Sequence, residues 1–90
     1  MTLEQRQQIE AQIKNDFAEI QKKLEDLKTE VQSESDDIKK QEKIEEIQRL
    51  GNEAAEMKTL IETLSTLQEQ DLESLKTRLE SFRTAIQNFK

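Results

Sequence analysis

Apolar side chains recur at Ile9, Ile13, Phe17, Ile20, Leu24, Leu27 and Val31, and from Phe17 onward the steps alternate between three and four. That alternation is a heptad seam, which places the residues on one helical face and asks for a neighbouring helix to cover them. Thr2 precedes the run, and Gln5 stands three positions on. In that arrangement a hydroxyl and an amide satisfy the free N–H groups of a helix start. The run stops at Gln32-Ser33-Glu34-Ser35-Asp36-Asp37. Short polar side chains there compete for backbone hydrogen bonds and favour a turn followed by a new helix cap. The pattern predicts a first helix over residues 3–32.

A second run follows at Ile38, Ile44, Ile47, Leu50, Ala54, Met57, Ile61 and Leu64, and predicts a helix over 36–65. The third reads Leu72, Leu75, Leu79, Phe82, Ile86 and Phe89, predicts a helix over 70–89, and finishes on the bases Arg83 and Lys90. Negative charge at Asp36 and Asp37 suits the start of the second helix, and positive charge suits the end of the third. Between Leu64 and Leu72 the register slips, and Leu67 fits neither side of it. Ser65 with Gln68, or Asp71, could cap a new helix there. The alternative is a stutter inside one continuous helix. Such a helix would run about 80 Å at about 1.5 Å per residue, with much of its length unpartnered. A turn near residues 66–70 is the expectation.

Three amphipathic helices with short connections predict an all-α fold: an antiparallel three-helix bundle forming a single domain over residues 1–90. The third helix is the shortest, so helices one and two are expected to extend past it as a coiled-coil hairpin over about residues 22–47. Its narrow seam of Leu24, Leu27, Val31, Ile38, Ile44 and Ile47 would lack a third layer, which marks these six as candidate partner-binding residues.

Gly51 is the only glycine, and the chain has no proline. A glycine inside a helix costs about 1 kcal/mol against alanine, so a packing reason is expected. With the first turn centred at 34–35, antiparallel pairing sets Phe17 near Asn52. With the second centred at 68–69, Phe82 lies level with Ala55 and Ile86 level with Gly51. The expected core is therefore a set of large residues (Phe17, Phe82, Ile86) fitted against small ones (Gly51, Ala54, Ala55). Phe89, at the end of its stripe, is the aromatic expected to be exposed.

Composition narrows the function. Fourteen bases against 20 acids give a net charge of −6, which argues against nucleic acid as a partner. No apolar run approaches the 18 or so residues of a membrane span, and the N-terminus lacks a signal-peptide core. The cytoplasm is the default location, with a non-classical export route left open. The chain has no histidine or cysteine, which removes imidazole acid–base chemistry, thiol nucleophiles and the usual zinc sites. Carboxylate pairs such as Glu42 with Glu46 fall on shared helix faces, but the inward Glu-x-x-His pairs of di-metal bundles are missing. No catalytic residue, metal or cofactor is expected, and the chain reads as a non-enzyme. The expected function is a protein–protein interaction module: a small acidic helical adaptor, chaperone or assembly factor that binds partner helices. The alternative is a structural or exported coiled-coil spacer or surface module that self-associates.

Overall fold

The computed structural model describes residues 1–89, and the expectation for Lys90 lies outside them. Three α-helices account for most of the chain: α1 (Leu3–Val31), α2 (Asp37–Glu62) and α3 (Glu69–Gln87). They run up, down and up as an antiparallel three-helix bundle 52 Å long and 18 by 16 Å across.

The local signals act where the sequence puts them. Thr2 accepts from the Gln5 N–H at 3.1 Å while the Gln5 amide oxygen accepts from the Thr2 N–H at 2.9 Å, a reciprocal cap on α1. The Asp36 carboxylate accepts from the N–H groups of Ile38 at 2.9 Å and Lys39 at 3.0 Å, and so starts α2. The intervening hairpin is fastened by Lys43, whose ammonium donates to the Glu34 carboxylate at 2.6 Å.

The α2–α3 junction is a turn, as the register slip predicts, although its capping differs from expectation. α2 ends at Glu62, a single 3₁₀ turn covers Leu64–Thr66, and Leu67 and Gln68 are extended. Gln68 occupies the cap position of α3 without a side-chain bond. Ser65 lies in the 3₁₀ turn and does not cap α3. Asp71 lies inside the first turn of α3, where its charge complements the helix dipole. Carbonyls of this junction are also served from α1: the Arg6 guanidinium donates to the Leu64 oxygen at 3.2 Å, to Ser65 at 3.4 Å and to Leu67. No base stands in the last turn of α2, so Arg6 supplies from another helix the positive charge that this end lacks.

The core runs the length of the rod through Ile13, Phe17, Ile20, Leu24 and Val31 of α1, Ile47, Leu50, Ala54 and Met57 of α2, Leu64 of the turn, and Leu72, Leu75, Leu79, Phe82 and Ile86 of α3. Every one belongs to the predicted stripes. No polar side chain is buried among the described residues. Arg83 does not serve the end of α3; it reaches across to Asp16 of α1 at 3.3 Å.

Candidate partner-binding site

The hairpin seam is largely closed by the chain itself. Leu24, Val31 and Ile47 are 2%, 3% and 7% exposed, and Leu27 and Ile44 are half-buried against the core. Only Ile38, at 75% exposure, stands free of the six. The expected two-layer hairpin is covered farther up than helix length alone suggests. α3 ends at Gln87, but Phe89 continues beyond it, packs against the core and borders a small cleft with Leu27, Glu30, Val31 and Lys43. Phe89 is accordingly half-buried, contrary to its expected exposure.

Gly51 also differs from expectation. Phe17, Ala54, Phe82 and Ile86 are buried, but Gly51 is half-exposed and Ala55 exposed. A Cβ placed on Gly51 would meet nothing within 4 Å. The glycine instead lines a shallow furrow between α1 and α2 with Gln21, Leu24 and Lys28. The physical reason lies in direction around the helix. Gly51 flanks the buried stripe of Ile47, Leu50, Ala54 and Met57 and is not part of it. Counting levels fixes a residue's height along the rod and leaves its direction around the helix axis open. Gly51 therefore falls at the edge of the α1–α2 contact, where it shares the furrow with Leu24 and not with Phe17.

A more apolar opening lies on the opposite side, between α2 and α3. These two helices pack less closely on each other than either does on α1. A groove of about 300 Å³ opens there, lined by Leu60, Leu67, Asp71, Ser74, Leu75 and Arg78. Leu75 forms a buried floor, and Leu60 and Leu67 are half-buried walls. The local cause is plain in the sequence. Toward α2, α3 presents the short side chains Asp71 and Ser74 where a tight interface would need bulk. Neither Leu60 nor Leu67 belongs to a heptad stripe. Leucines lying off the seam widen the apolar face beyond what two neighbours cover, and that is the signal by which this groove could have been found.

One end of the groove is held by a charge clamp. Arg78 donates to both oxygens of Glu53, the second at 2.9 Å, and also to Glu56. The guanidinium holds the Glu53 carboxyl below the usual carboxylate range, and the two carboxylates raise the Arg78 pKa in turn. At the hairpin the Lys43 ammonium likewise lowers the Glu34 pKa.

Among the described residues no three acidic side chains converge as a metal-holding group. No described helix is long and apolar enough to cross a membrane. Compared with known proteins, the chain matches no family model, and neither a curated protein nor a solved structure resembles it significantly.

Proposed function

We propose that this protein is a non-catalytic interaction module, a small acidic adaptor, chaperone or assembly factor that receives an apolar helical segment of a partner. The observation that carries this reading is the α2–α3 groove. Leu60 and Leu67 remain half-exposed beside a buried Leu75, in a rod whose other large apolar side chains are mostly sealed. Helix-in-groove recognition uses such a geometry, with anchors at one-turn spacing entering between two host helices. The hairpin seam is not the surface in this reading, because Leu24, Val31 and Ile47 are already occupied within the chain.

Site-specific photo-crosslinking in the native host tests the reading. A photoreactive residue at Ser74, in the groove, is expected to give a discrete adduct with a second protein. The same residue at Gln41, on the exposed hairpin tip, is expected to give none. Adducts at Gln41 alone would move the site to the hairpin. Adducts only to another copy of the chain would favour the self-associating spacer.

A further inference from the structure

The charges around the groove say what kind of helix it accepts. Residues 53–78 hold six acids (Glu53, Glu56, Glu62, Glu69, Asp71 and Glu73) and three bases (Lys58, Lys76 and Arg78). The two lysines face elsewhere. Lys58 lines the furrow between α1 and α2 with Gln21 and Gly51, and Lys76 lines a cleft between α1 and α3 with Ile9 and Asp16. Arg78 lines the groove and its guanidinium is shared between Glu53 and Glu56, while Arg6, bonded to the Leu67 carbonyl, is paired with Glu10. Two carboxylates on one cation leave a negative surplus at that end. At the other end Asp71 lines the groove, and no described cation pairs with it. The result is an apolar trough with Asp71 at one end and, at the other, Arg78 under two carboxylates.

We infer that the groove between α2 and α3 takes a basic amphipathic helix of a different protein, its apolar stripe on Leu60, Leu67 and Leu75 and its Lys or Arg side chains beside Asp71 and Glu56. The inference rests on the interaction-module reading above. Asp71 and Arg78 are seven residues apart on α3, about 10 Å along the helix axis. That length admits two turns of a partner, hence anchors at i, i+3 or i+4, and i+7. Lysine and arginine fit the rims because their aliphatic stems cover apolar edges while their charged ends reach the carboxylates. A second copy of this chain suits the groove poorly. Each copy carries a net charge of −6, and its exposed Ile38 is flanked by Asp36 and Asp37. Opposed carboxylates would repel.

The experiment is a nuclear magnetic resonance titration of the isotope-labelled full chain with two synthetic peptides. Each is about 18 residues long, enough for several helical turns. Both carry leucines at i, i+3, i+4 and i+7; one has lysines on its flanks and the other glutamates. The lysine peptide is expected to bind, with shifts centred on Leu60, Leu67 and Ser74, and at least about tenfold more tightly than the glutamate peptide. Raising salt from about 50 to 500 mM should remove most of that preference. Leu67→Glu should abolish binding. Ser74→Trp, at an exposed position that the fold tolerates, should block the groove independently, and Asp71→Lys should narrow the gap between the peptides. Equal binding of both peptides in the groove would overturn the charge inference while leaving the interaction module standing. Binding that ignores Leu67→Glu and Ser74→Trp would reduce the lysine peptide to a general attraction to an acidic surface and overturn the inference. Binding of neither peptide would overturn it also, and would remove the physical support for a helix-receiving groove.

Discussion

Gly51 illustrates how a single side-chain position is decided by three-dimensional packing. Most of its neighbours in sequence are strong helix formers, and nothing occupies the space where its Cβ would lie. Its backbone is helical and does not enter the left-handed region that favours glycine. The usual helix penalty is therefore unrelieved, and Gly51→Ala is expected to stabilise the fold by about 1 kcal/mol. In a domain of this size that raises the thermal midpoint by about 4–8 °C, measurable by circular dichroism. A fall in the midpoint would restore the close-packing explanation. Arg6 is the opposite case, an unremarked residue in the sequence with a specific role in the fold. Its guanidinium serves three carbonyls of the α2–α3 junction and also meets Glu10 at 2.9 Å. Arg6→Met keeps much of the stem but removes the donors, and is expected to cost about 1–2 kcal/mol. The same thermal measurement checks it, and Arg6→Lys should recover part of the loss through its charge alone.

At the scale of elements, the caps of α1 and α2 were legible and that of α3 was not. Thr2 with Gln5 and Asp36 act through contacts of two or three residues, so spacing in the chain is enough to find them. The α3 start was not legible in the same way, because its cap position holds Gln68 with no side-chain bond and the junction is fastened by Arg6, some 60 positions away. Between α2 and α3 the direct electrostatic fastening is Arg78 on Glu53 and Glu56. Glu53 has its folded pKa lowered, so its pairing adds stability above the ordinary value of 4.5 and loses it as pH falls through the folded value. The urea midpoint of the chain should exceed that of Glu53→Gln at pH 7. The gap should close once the pH falls well below 4.5, since both side chains are then neutral. A gap that persists in acid would mean that the glutamate contributes by packing rather than by charge. Both partners are about one-third exposed, so the effect at neutral pH is expected to be small.

For the whole molecule, the all-α class, three helices, their order and nearly all core positions follow from the sequence, because a repeat of three and four can bury its apolar stripe only against other helices. A turn near residue 67 is the expectation, but a slipped register also fits a stutter in one continuous helix, and it is the structure that ends α2 at Glu62 and starts α3 at Glu69. Tertiary structure alone decided which surfaces remain open. The hairpin seam reads as uncovered when helix lengths are compared, yet Leu24, Val31 and Ile47 are buried and Phe89 packs against the core beyond the end of α3. Gly51 reads as a socket for Phe17 when heights along the rod are compared, yet it lies at the flank of its helix's buried stripe, in a furrow with Leu24. The groove of Leu60, Leu67 and Leu75 depends on how far α2 stands from α3 and on which way Lys58 and Lys76 turn. Periodicity records which face of each helix is apolar and leaves the lateral spacing of three faces open. That spacing is set by the fit of unlike side chains against one another, and here it left a trough open between α2 and α3.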